Sequence, residues 1–133
     1  EYDILKGSYI TSKDNEIELG FTNKDAIYDD DDNVVFEKGN PIFSHFVLYS
    51  KSAKIIGDLP FEATFADKRS DIVHKAGNPS QTKDGYADFL NRNFLIDNYK
   101  QGAIIITFDY DPEKETLNFI QVRDNDLVDH IKL

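Results

Sequence analysis

The sequence predicts an α+β fold, with an antiparallel sheet whose last three strands form a meander and one short helix packed on that sheet. Apolar residues alternate with period two in three stretches, 94–99, 102–110 and 116–123, which are joined by short turns. A single stretch, residues 67–77, carries the start and stop signals of a helix. The length of 133 residues leaves room for one domain, residues 1–133.

The first half of the chain predicts further, less regular strands. From Glu16 the sequence EIELGF alternates cleanly and predicts a first strand, which resumes at 26–28 after a polar turn. Short runs rich in β-branched and aromatic residues predict strands at 34–36 and 42–49. The opening 15 residues show no sustained period, and we expect them to be irregular.

The helix prediction depends on its two ends. Asp67 is suited to the N-cap, Lys68 to Ala76 form the body with Ile72 facing inward, and Gly77 suits the left-handed position after the last turn. Pro79 then prevents continuation.

Two other segments give weaker signals. Residues 80–93 are polar and predict a loop or a single turn, and Asp111–Lys114 is a tight turn between strands that Pro112 favours. The tail, residues 124–133, predicts a short strand or a last helical turn.

The charge of the chain is strongly negative and unevenly distributed. The formal net charge is −10, from 25 acidic and 15 basic residues. Residues 1–37, an acidic N-terminal third, hold eleven acids and three lysines for a net charge of −8. Nucleic-acid binding depends on Lys and Arg displacing counterions, so we expect no nucleic-acid partner and favour a cationic protein. The longest apolar run is far shorter than the ~20 residues of a membrane helix, so no span is expected.

Motifs for chemistry are weak. The chain has no Cys, and its three His residues, at 45, 74 and 130, lack a spacing typical of metal ligands. Asp29, Asp31 and Asn33 match the first positions of a calcium loop, but Val34 replaces its glycine and Asn40 its bidentate glutamate. We therefore expect no cofactor and no metal site. A carboxylate-dependent hydrolase stays open as a third class, because 25 acids bring some pair together in any fold.

Residues 59–123 carry a resemblance. They contain, in order, LPFEATF, ADKRSDIVHKAGNPS and strands ending in TFDYDPEKETLNFIQV. This helix-plus-meander module resembles the repeat of beta-lactamase inhibitor protein and SmpA-type outer-membrane lipoproteins. The linkage of FVLYS to GDLPF and DKRSDIVHKAGNP is more closely similar to bacterial immunity proteins encoded beside polymorphic toxins, including contact-dependent growth inhibition systems. The resemblance implies a non-enzymatic antitoxin that binds and neutralises the C-terminal domain of a cognate toxin.

Many such toxins are nucleases with cationic surfaces, so acids beside aromatic anchors are the expected binding groups. The candidate partner-binding residues are Tyr28, Asp29, Asp30, Asp31, Asp32, Glu37, Tyr110, Asp111 and Glu113. Tyr49 and Tyr86 are further aromatic candidates.

The main alternative is a binding or scaffold module of the cell envelope, of the SmpA-like type. The antitoxin hypothesis implies the bacterial cytoplasm, and a signal peptide before Glu1 would imply the periplasm instead.

Overall fold

The computed structural model describes residues 8–11, 17–23, 27–28, 34–36, 41–127 and 132–133. The strands in these ranges are β1 (Ser8–Thr11), β2 (Ile17–Asn23), β3 (Ile27–Tyr28), β4 (Val34–Phe36), β5 (Pro41–Leu48), β6 (Gln81–Ala87), β7 (Arg92–Gln101), β8 (Ile104–Tyr110) and β9 (Leu117–Asp124). The helices are α1 (Ala53–Ile56), a single turn, and α2 (Arg69–Ala76), and 3-10 turns lie at Pro60–Glu62 and Asp88–Leu90.

Seven strands form one antiparallel sheet in the order β1-β2-β5-β9-β8-β7-β6. The short strands β3 and β4 pair separately with each other. Strands β7, β8 and β9 are neighbours in sequence and in the sheet, which confirms the predicted meander and the α+β class. Strand β6 adds a hairpin to this meander and forms one edge of the sheet.

Helix α2 lies close to its predicted position and packs Ile72, which is fully buried, against the sheet. Its N-cap is Lys68 and not the predicted Asp67. The carboxylate of Asp67 instead accepts a hydrogen bond from the backbone N–H of Thr64 at 2.8 Å, so it closes the preceding turn. Gly77 ends the helix with φ of 82°, as its position predicted.

The core lies between the sheet and the layer that contains α2. Its buried members are Leu48, Leu59, Ala63, Ile72, Leu95, Tyr99, Ile106, Phe108, Tyr110, Leu117 and Ile120. Strand β8, an interior strand of the sheet, is buried on both faces, because Ile105 and Phe108, which lie on opposite faces, are both 0% exposed.

Two further sequence predictions of local structure were wrong, those for residues 80–93 and 8–11. Residues 80–93 form strand β6, a 3-10 turn and the start of β7 in place of a loop. Residues 8–11, expected to be irregular, pair with β2. In the tail, residues 125–127 form neither strand nor helix, and residues 128–131, where the predicted strand or helical turn could still fall, lie outside the described residues. The edge strand β6 has a polar sequence because five of its seven residues are exposed, which removes the alternation that marks a half-buried strand.

Candidate functional site: an acidic groove at one end of the sheet

Two loops meet at the same end of the sheet because β6 and β8 both run antiparallel to β7. The segment after β6, residues 88–91, therefore lies beside the segment after β8, residues 111–116. Two adjoining hollows of about 480 and 560 Å³ lie between them. Both hollows are lined by Tyr86, Asn93, Phe94, Pro112 and Glu113. We refer to the two hollows together as the acidic groove.

The charged residues of the acidic groove are mostly acids. Five carboxylates line it, and the two cations that line it are Arg69 and Arg92. The acids are Asp84, Asp109, Asp111, Glu113 and Glu115. Arg69 is already paired with a buried carboxylate, so the groove presents net negative charge to a partner.

The floor of the groove depends on a close contact between β6 and β7. Phe94 lies opposite Gly85 in the β6–β7 register. A Cβ atom at residue 85 would lie 3.3 Å from Cζ of the Phe94 ring. Glycine at this position therefore allows the ring to lie across the edge strand.

Asp111 organises the turn beside the groove. Its Oδ1 accepts hydrogen bonds from the backbone N–H groups of Lys114, at 2.8 Å, and Glu113, at 3.0 Å. These two hydrogen bonds hold the pKa of Asp111 below its usual value, and the bond from Lys114 contributes the larger part of the effect. Asp111, a predicted partner-binding residue, thus lines the groove and also fixes the conformation of the turn that presents Glu113.

Asp109 differs from the other groove acids because it is only 7% exposed. Burial raises the pKa of its carboxyl, and a hydrogen bond from Asn118 Nδ2, at 2.9 Å, opposes that effect.

Tyr110 is a core residue, which corrects its prediction as a partner-facing anchor. Its residue is 1% exposed, and its ring stacks on Phe108 with centroids 6.4 Å apart. Burial is the main factor that raises the pKa of its hydroxyl, which has no hydrogen-bond partner in the part of the chain that the structure describes. The physical reason is that alternate residues of a strand point to the same face, and Tyr110 lies two residues after Phe108 and four after Ile106, both of which face the core.

The remaining predicted residues are distributed as follows. Glu113 is exposed and lines both hollows. Tyr28 lies in β3, and nothing is described of its side chain. Asp29, Asp30, Asp31, Asp32 and Glu37 lie outside the described residues. The groove thus brings together two predicted residues outside the core, Asp111 and Glu113, and it adds Tyr86, one of the two further aromatic candidates.

A buried ion pair joins helix α2 to the sheet next to the groove. Asp97 is 0% exposed, and its carboxylate accepts hydrogen bonds from Arg69 Nε at 2.8 Å and Nη2 at 3.0 Å. Thr82 donates a third hydrogen bond to Asp97 Oδ1 at 2.6 Å. The backbone N–H of Arg69 also donates to the carbonyl of Glu115 at 3.0 Å. The helix start, strand β7 and the turn after β8 are therefore held in a fixed relation.

Sequence reasoning missed several groove residues. Asp84, Arg92, Asn93 and Asn118 line the groove and were not predicted as site residues. The positions of Asp84, Arg92 and Asn93 depend on the β6–β7 hairpin, which was not predicted because the sequence of β6 is polar. A search for a pair of strands on the two sides of residues 87–91, ADFLN, could have found this hairpin.

Among the described residues, no group of three or more His, Asp or Glu side chains could hold a metal ion. Within the same part of the chain, no helix has the length and apolar character that a bilayer crossing requires. Comparison with family models, with curated proteins and with solved structures found no match to this chain.

Proposed function

We propose that this chain is a non-enzymatic immunity protein that binds and neutralises the C-terminal domain of a cognate bacterial toxin. A cationic nuclease is the toxin class that we favour, and the bacterial cytoplasm is the place of action. The single observation that carries the proposal is the acidic groove, where five carboxylates meet two cations beside an exposed aromatic residue.

The groove suits a cationic protein for electrostatic reasons. A nuclease binds phosphate through Lys and Arg, and acids on an inhibitor attract the same groups. A net charge of −10 on the whole chain adds a long-range field that accelerates encounter.

The partners of the groove acids support binding in preference to acid–base chemistry. The carboxylate of Asp111 accepts hydrogen bonds from the backbone of its own turn, and that of Asp109 accepts a hydrogen bond from Asn118. Asp84 and Glu113 are exposed to solvent, where carboxylates attract partner cations. The aromatic Tyr86, 54% exposed between them, offers apolar area of the kind that stabilises protein interfaces.

The experiment that tests this proposal uses the toxin domain encoded directly upstream of the gene for this chain. We expect the two purified proteins to form a stoichiometric complex by calorimetry, and we expect the complex to lack the toxin's nuclease activity. Co-expression should also restore growth to cells that produce the toxin. The proposal is wrong if the toxin stays fully active in an excess of this protein, or if no toxin gene is present.

A further inference from the structure

Residues 86–91, which we refer to as the hairpin tip, carry an unusual amount of exposed apolar surface. Phe89 is 87% exposed, Tyr86 54% and Leu90 47%. Among the described residues, six large apolar side chains are exposed, and the other three are single residues on β5, α1 and β8. Scattered apolar residues are ordinary on a protein surface, whereas a cluster of three within five positions is typical of an interaction site.

The hairpin tip is held in one conformation. The β6–β7 pairing continues to Ala87 and Arg92, directly below the tip. The turn is closed by a hydrogen bond from the backbone N–H of Asn91 to the carbonyl of Asp88, at 3.1 Å. Asn91 adopts a left-handed conformation with φ of 50°, and its side chain is hydrogen-bonded to the hydroxyl of Tyr86. A turn whose backbone is already fixed loses little conformational entropy on binding.

The surroundings of the tip identify the kind of surface that it fits. The tip is continuous with the acidic groove, because Tyr86, Asn91 and Arg92 line one of its hollows. Asp88 lies next to Phe89 in the turn, and Asp84 and Glu113 line the other hollow with Tyr86. A complementary surface therefore has an apolar depression for the tip and cations beside it.

We propose that the hairpin tip is an apolar anchor, with Phe89 and Leu90 inserted into an apolar pocket of a protein partner whose rim carries Lys and Arg side chains. This inference rests on the proposed function and adds the mode of contact. The acids then govern the association rate, and the tip governs the dissociation rate.

The test measures association and dissociation rates of the upstream-encoded toxin domain with Phe89→Ser, with Leu90→Ser and with the control Ile104→Ser. Ile104 is 40% exposed and lies at the start of β8, at the other end of the sheet. We expect Phe89→Ser to accelerate dissociation by about tenfold or more and to change association by less than about twofold. The effect should persist from about 0.05 M to about 0.5 M salt, because apolar contacts are not screened.

The fold of each variant is checked by its thermal unfolding temperature, which should not change for a side chain that is 87% exposed. The inference is overturned, and the proposed function stands, if the toxin dissociates from both tip variants as slowly as from the unmodified protein. It is also overturned if Ile104→Ser has the same effect, or if Phe89 mediates sedimentation with phosphatidylcholine vesicles in place of toxin binding. Failure of the unmodified protein to bind the toxin contradicts both proposals.

Discussion

Asp109 shows how one residue of the acidic groove can reduce the stability of the free protein. The residue is 7% exposed, and burial raises the pKa of its carboxyl in the folded state. A buried carboxylate that keeps its charge at neutral pH loses hydration that one hydrogen bond from Asn118 replaces only in part. The groove therefore retains this acid at a cost to the free energy of unfolding.

We expect Asp109→Asn to raise the free energy of unfolding by about 1 kcal/mol at pH 7, because the amide oxygen still accepts from Asn118 and carries no charge. Since the folded pKa lies above the unfolded value of about 4, the unmodified protein loses stability as pH rises through the folded pKa. The variant has no charge at residue 109 and does not lose stability in this way. The variant and the unmodified protein should therefore have equal free energies of unfolding near pH 3, where the carboxyl is protonated. Urea denaturation at both pH values measures the difference. A less stable variant at pH 7 would contradict this account of Asp109.

At the scale of elements, helix α2 fixes the relation between the sheet and the groove. Ile72 is its fully buried residue, while Arg69 at its start bonds Asp97 and Glu115. Loss of helix packing should therefore affect both stability and the position of the turn that carries Glu113.

Ile72→Asp should lower the free energy of unfolding by about 3–5 kcal/mol, because it places an unpaired charge in the core. The matched control is Ser70→Asp, which adds the same charge at an exposed position in the first turn of the same helix, where acids are tolerated. Thermal unfolding of both variants measures the effect. An unchanged melting temperature for Ile72→Asp would show that Ile72 does not contribute to the core.

The strength of the sequence predictions differed between elements for physical reasons. The end of α2 was predicted correctly because the glycine that terminates it acts locally. Strand β6 was not predicted because it is an exposed edge strand, where polar residues occur on both faces and the apolar alternation is absent. Tyr110 was predicted to bind the partner, although it lies two residues after Phe108 on β8 and therefore shares the face of the strand that packs in the core. The exposure of Phe89 was not predicted, because it arises from a three-residue turn between two strands.

At the scale of the whole molecule, negative charge is concentrated in the first third of the chain and in the acidic groove. Residues 1–37 carry a net charge of −8, and Glu18, the acid of this segment that the structure describes, lies on β2, which four strands of the sheet separate from β6. The acidic groove lies at the β6 side and includes five further acids. Each region can contribute to the field that a cationic partner meets.

For the first region, conversion of Asp29–Asp32 to Asn should slow association with the toxin by about tenfold at low salt and change dissociation less. The difference should shrink toward about 0.5 M salt, because screening removes long-range attraction. Stopped-flow kinetics measures both rates. Faster dissociation that persists at high salt would show that these residues contact the partner directly, and no change in either rate would leave them a role in solvation only.

The central claim, that the acidic groove attracts a cationic toxin, is tested most directly by the salt dependence of the association rate constant. One variant neutralises the groove acids Asp84→Asn, Glu113→Gln and Glu115→Gln. The control neutralises three exposed acids that do not line the groove, Asp58→Asn, Glu62→Gln and Asp124→Asn, so both variants have the same net charge. We predict that the groove variant associates about tenfold more slowly than the control at low salt and equally fast near 0.5 M salt. Equal association rates of the two variants at low salt would contradict the claim.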